Sequence, residues 1–133
     1  MNTDLIDAYR NTRYRVPEQN LEILIGEKCH NLDELLLKYN CEKWAFITPF
    51  NPESKILSEE ENELRLMLLK KKVASYIVFG GEGVGIDKKW PSEKSLLILD
   101  VDKIEAENIG RSFNQNAIVF GYIHKPAELI ILR

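Results

Sequence analysis

Three short polar stretches carry residue types that could recognise and process a small molecule. The first, Thr48-Pro49-Phe50-Asn51-Pro52-Glu53-Ser54, leaves the apolar run Trp44–Ile47 and precedes a helix-start signal at Ser58. Its prolines fix φ and remove two backbone donors, which stiffens the loop. Thr48, Asn51 and Ser54 supply hydroxyls and an amide that donate and accept, and binding groups often sit on loops held by a rigid scaffold. The second is Trp90-Pro91-Ser92-Glu93-Lys94-Ser95. Trp90 can stack on a planar ligand and Glu93 can act as an acid, a base or a hydroxyl acceptor. The plainer assignment is a Trp that anchors its loop, with Glu93 in solvent. The third is Phe113-Asn114-Gln115-Asn116-Ala117, three consecutive amides where a helix hands over to a strand. Asn114 suits a helix stop. Gln115 and Asn116 either read the hydrogen-bonding edge of a ligand or tie down neighbouring backbone.

Lesser candidates surround these. In Thr12-Arg13-Tyr14-Arg15 two arginines flank a tyrosine, a pattern that grips an anion or covers a sheet edge. Asn62 lies one turn inside the helix after Ser58, and either supports the Asn51 loop or is solvated. Gly80-Gly81-Glu82-Gly83-Val84-Gly85 follows a strand, as a phosphate loop does, but lacks the Gly-Lys-Ser/Thr ending and leads into Ile86-Asp87-Lys88-Lys89-Trp90-Pro91 instead of a helix. Without a helix N-terminus to aim N–H groups at an anion, it reads as a flexible connection or a lid over a nearby pocket. Cys29, His30, Cys41 and His124 match no standard zinc spacing, so no metal and no cofactor is expected. The chain has no H-E-x-x-H, nucleophile elbow or D-x-D cluster. Any chemistry falls to Glu, Asp, Tyr or Ser, helped by amides.

The elements that must hold these residues are marked by their ends. Asn31 with Glu34, Ser58 with Glu61, and Asp102 with Glu105 have the spacing of helix-capping boxes. Helices are predicted over Thr3 to Arg10, residues 32–40, Ser58 to Lys72 (with Leu64, Met67 and Leu68 as core stripe) and Asp102 to Phe113. Strands are predicted over 20–25, 44–48, 75–79, 95–99, 116–122 and 128–132, and Lys125-Pro126-Ala127 suits a hairpin turn between the last two. This gives an α/β or α+β fold: one mixed sheet of about five to six strands, about four helices and an antiparallel C-terminal strand pair. Residues 1–133 read as a single globular domain.

The composition narrows the setting. A net charge of −3, with acids and bases interspersed, argues against nucleic acid as a partner. Lys70-Lys71-Lys72 reads as a helix end complementing its dipole. No apolar run reaches the roughly 20 residues of a membrane helix, and the polar start Met1-Asn2-Thr3-Asp4 has no signal-peptide pattern. Two cysteines with no C-x-x-C pairing read as reduced thiols in the cytoplasm.

Taken in order, Tyr9-x-x-Thr12-x-Tyr14, Thr48-x-x-Asn51-Pro52-x-Ser54, Asn62, Trp90-x-x-Glu93-x-Ser95-x-Leu97 and Phe113-x-Gln115-x-Ala117-x-x-Gly121 resemble the bacterial domain-of-unknown-function family 3293 over nearly the whole chain. Pro49 departs from that pattern, which has a small residue there. The resemblance implies a small, stand-alone, cytosolic domain and carries no activity. Its motif positions are mostly polar or aromatic and lie on loops, which favours a shared pocket over shared packing. The expectation is a pocket for a small polar ligand, such as a nucleotide, a nucleoside or a similar metabolite. Thr12, Tyr14, Thr48, Asn51, Ser54, Asn62, Trp90 and Gln115 would bind it. Phe50 or Trp90 would stack on it, and Arg13 or Arg15 would meet an anionic group. If a reaction occurs, Glu93 is the acid or base, and glycosidic or phosphate-ester hydrolysis would suit it. The alternative is a protein-interaction or self-association module, a homodimer included, whose polar loops are structural latches.

Overall fold

A computed structural model of the protein describes residues 2–86 and 90–133. Asp87, Lys88 and Lys89, which close the glycine-rich stretch, lie outside the described residues. The chain runs α1 (Thr3–Arg10), β1 (Arg13–Val16), β2 (Leu21–Ile23), α2 (His30–Lys38), β3 (Lys43–Ile47), α3 (Glu59–Lys72), β4 (Val78–Val84), β5 (Glu93–Leu99), α4 (Lys103–Ser112), β6 (Ala117–Tyr122) and β7 (Glu128–Ile131). Two single 3₁₀ turns lie at Pro17–Gln19 and Pro52–Ser54.

The seven strands form one sheet in the order β2-β1-β4-β5-β3-β6-β7. Every ladder is antiparallel, including the expected β6–β7 hairpin. The expected α/β fold, with four helices and one sheet, holds among the described residues; in detail the sheet has seven strands rather than five to six, and its ladders are all antiparallel rather than mixed. Strand–helix alternation does not distinguish parallel from antiparallel neighbours, and β1 is only four residues long, too short to show a period. The sheet curls until the segments beyond its two edges meet. Ile25 bridges Ala127, with Gly26 N donating to Ala127 O at 2.8 Å and Ala127 N to Glu27 O at 3.0 Å.

Alternation along the strands divides two cores. Leu97 and Leu99 face inward with Trp44, Phe46, Val119 and Tyr14, where Leu32, Leu35 and Leu36 of α2 cover one end. Leu96 and Ile98 face the other way with Ala45, Ile47 and Phe120, packed under α3 and α4. Both faces of the central strands are covered, so Leu96–Leu99 is an unbroken apolar run.

Some local expectations change. Gly80–Val84 is strand, Gly80 to Gly83 pairing with β5 and Glu82 to Val84 with β1. A Cβ at Gly81 would stand 2.6 Å from Arg15 O and 2.9 Å from the Phe46 ring, so glycine there permits close strand packing. On α3 the Ser58–Glu61 capping box forms, but the buried face is Asn62, Leu66 and Leu69, while Leu64, Met67 and Leu68 are each half exposed or more. A polar residue inside the true stripe hid its i, i+4, i+7 spacing. The position before α2 is Cys29, without a side-chain cap; Asn31 Nδ2 instead donates to Asn20 O at 2.9 Å. Asp102 stands at the start of α4 but makes no capping bond, its carboxylate lying 3.1 Å from Lys43 Nζ. Asn114, at φ 56°, takes the left-handed turn that ends α4.

Candidate functional site

Strand register lays out the floor of a cavity on the inner face. Tyr14 of β1 pairs with Gly83 of β4, and Gly83 pairs with Glu93 of β5, so these three stand side by side. Gly81 pairs with Ser95, and Phe46 with Val119, further along the same face. At Gly83 the atoms nearest to an added Cβ belong to Thr12 and Tyr14, at 3.6 and 3.8 Å. Having no side chain there leaves room beside the carboxyl. The resulting cavity is about 580 Å³, within the usual range for small-molecule sites. Leu5 and Ala8 of α1, with Ile86, Phe46 and Leu129, give it apolar walls.

The Thr48–Ser54 loop forms one side. Asn51, Glu53 and Ser54 have φ of 47°, 55° and 62°, a left-handed run that costs of order 1–3 kcal/mol per strained residue. Buried side chains hold it there. Asn51 N donates to Asn62 Oδ1 at 2.9 Å. Asn51 Oδ1 accepts from Asn62 Nδ2 at 2.9 Å and from Leu57 N at 3.0 Å. Asn51 Nδ2 donates to Glu93 Oε2 at 2.8 Å. Thr48 Oγ1 donates to Lys94 O at 2.8 Å and accepts from Phe50 N at 3.1 Å. Gln115 Nε2 donates to Phe50 O at 3.0 Å. Arg65 of α3 donates through Nε to Pro49 O at 2.6 Å and through its terminal nitrogen to Phe113 O, clamping the Thr48–Ser54 loop to the turn after α4.

Glu93 is the site's titratable centre. Burial raises its carboxyl above the ordinary carboxylate value, partly offset by hydrogen bonds from Asn51 and the Trp90 side chain. Tyr9 lies alongside. Burial pushes its phenol up, hydrogen bonds with Ser54 and Asn116 pull it down, and nearby Glu93 adds to the rise. Asn116 Nδ2 also donates to Ser54 Oγ at 3.0 Å. Burial raises the Tyr14 phenol as well, and its hydroxyl donates to Tyr9 O at 3.0 Å. Thr12 Oγ1 donates to Ala8 O at 2.7 Å. Tyr14 and Thr12 thereby fasten α1, which buries no residue completely, over the cavity.

Of the sequence candidates, Thr12, Tyr14, Thr48, Asn51, Ser54, Trp90, Glu93 and Gln115 all line this one cavity. Asn62 does not line it, because both ends of its amide are spent on Asn51; it supports the loop. Phe50 packs into the outer core. Arg13 and Arg15 sit on the exposed side of β1, Arg15 lying 4.0 Å from Glu82, so neither faces the cavity. Tyr9, Arg65 and Gly83 were missed. Tyr9 is signalled by its place in Tyr9-x-x-Thr12-x-Tyr14. No local signal marks Arg65. Among the described residues no three His, Cys, Asp or Glu gather as metal ligands would, and no helix is long and apolar enough to cross a membrane.

Compared with known families, residues 47–118, just over half of the chain, match the family described as Protein of unknown function (DUF3293). That segment contains Thr48, Asn51, Asn62, Glu93 and Gln115. No curated protein and no solved structure matches.

Proposed function

The chain belongs to the DUF3293 family, and from that premise we propose that it is a bacterial, cytoplasmic protein that binds a small polar metabolite, such as a nucleotide or nucleoside, in the cavity on the inner sheet face. One observation carries the reading. Residues from four separate parts of the sequence, Thr12 and Tyr14, Thr48 with Asn51 and Ser54, Trp90 with Glu93, and Gln115, converge on a single mostly apolar cavity that holds a carboxyl of perturbed acidity. A buried titratable group in a cleft is a common mark of a binding or catalytic site. Trp90, Tyr14 and Ser54 make direct contacts with the metabolite. Asn51 and Gln115 orient it, and Glu93 is the acid or base of any reaction.

A second reading has its own support. The side chains of Thr48, Asn51 and Gln115 bond to the protein's own backbone, as latches in an interaction module would. Asn51→Ala therefore removes a structural node as well as a binding group, and cannot separate the two readings. Gly83→Val can, because the nearest contacts of an added Cβ are ordinary ones and the position lines the cavity. The test is a thermal-shift screen of metabolites on the parent protein and on Gly83→Val. A ligand at about a hundred times its Kd adds roughly 2.7 kcal/mol, a rise of several degrees in Tm. A hit lost in a normally folded Gly83→Val supports the pocket. A silent screen with a dimer or larger assembly in light scattering supports the latch reading.

A further inference from the structure

Resting on the pocket reading above, we propose that the group seated against Glu93 is the N–H-donating edge of a flat heterocyclic base, the class of the amino-purines and amino-pyrimidines, and not a phosphate. The argument starts from the acceptor. A carboxylate offers roughly four lone-pair sites. Asn51 Nδ2 fills one at 2.8 Å, which leaves capacity for further donors. The missing side chain at Gly83, its direct partner in the sheet, opens the space in which such donors would stand.

The surroundings suit a ring. Tyr9, Tyr14, Phe46 and Trp90 all line the cavity. The Tyr14 ring lies 3.8 Å from where a Gly83 Cβ would be, so an aromatic ring borders the open space beside the carboxyl. Flat heterocycles pack well on such rings. Charge points the same way. Among the described lining residues Glu93 is the group that carries formal charge, while Arg13 and Arg15 lie on the exposed side of their strand. A phosphate against a half-buried carboxylate would meet like-charge repulsion, whereas N–H donors satisfy the carboxylate and gain charge-assisted hydrogen bonds.

Calorimetric titration of adenosine, guanosine and cytidine, their 5′-monophosphates and inorganic phosphate tests this on the parent protein, Glu93→Gln and Gly83→Val. At least one nucleoside should bind, with its monophosphate no tighter. Glu93→Gln should weaken it about tenfold or more by removing the charged acceptor, and Gly83→Val should abolish it. Binding confined to monophosphates or phosphate, blocked by Gly83→Val but indifferent to Glu93→Gln, would overturn the inference and leave the pocket standing. So would silence in this panel beside another metabolite hit that Gly83→Val blocks. Silence here and in the broad metabolite screen would overturn both.

Discussion

Asn51 is the residue on which the site turns. It sits in a left-handed conformation at φ 47°, buried, with its backbone N–H and both ends of its side chain engaged. Asparagine tolerates this conformation better than most residues. Asn62 makes it possible, since its amide answers both the backbone N–H and the side-chain oxygen of Asn51. Asn62→Ala should therefore cost about 1–3 kcal/mol in urea denaturation, from the buried groups left unpaired; a change within about 0.5 kcal/mol would mean the pair holds nothing. Glu93 contributes with the opposite sign. Burial raises its carboxyl above the ordinary 4.5, so the folded protein keeps a proton that the unfolded chain releases. That contribution is full below the ordinary value and lost as pH rises through the raised one. Glu93→Gln keeps an acceptor for Asn51 and removes the loss. Its stability relative to the parent should be greater near about pH 7 than near about pH 4. Parallel pH–stability profiles for the two proteins would contradict the assignment.

At the scale of elements, the glycines of β4 divide the work. Gly81 lies against Arg15 O and the Phe46 ring, whereas Gly83 faces the cavity. Gly81→Ala should cost about 1–3 kcal/mol from overpacking, while Gly83→Val should fold with near-parental stability. Equal losses in chemical denaturation would show that Gly83 is a packing position too. This strand also shows where sequence is a poor guide. Gly80-Gly81-Glu82-Gly83 has almost no strand propensity and reads as loop, because its fitness depends on what the neighbouring strands leave room for. The same limit applies to α3, where the buried Asn62 broke the apolar stripe, and to Arg65, whose acceptors, Pro49 O and Phe113 O, lie 16 and 48 residues away. What is written locally was legible. The Thr3–Arg10 helix, the capping box at Ser58, the stop at Asn114 and the final hairpin each depend on neighbours a few residues apart. The polar site residues were legible for another reason. Amides and a carboxyl flanking apolar runs stand out in a sequence whether they bind a ligand or tie down backbone, and only the sheet register brings them to one cavity.

For the whole molecule, one curled antiparallel sheet separates two jobs. Its outer face is sealed by α3 and α4 into a continuous core. Its inner face is sealed at one end by α2 and at the other only roofed by α1, which buries no residue completely. The cavity lies under that lightly held roof, so on the proposed reading a ligand would enter without breaking the core. The chain's two tryptophans report on the two environments, since Trp44 is buried in the inner core and Trp90 lines the cavity. The decisive measurement is a ¹⁵N-resolved NMR screen of the metabolite library that follows both indole N–H signals and the Asn51 and Gln115 side-chain amides. A pocket predicts that at least one compound moves Trp90, Asn51 and Gln115 together while Trp44 stays fixed. A folded protein whose Trp90, Asn51 and Gln115 signals stay unmoved across the library, or whose shifts map elsewhere, would contradict it.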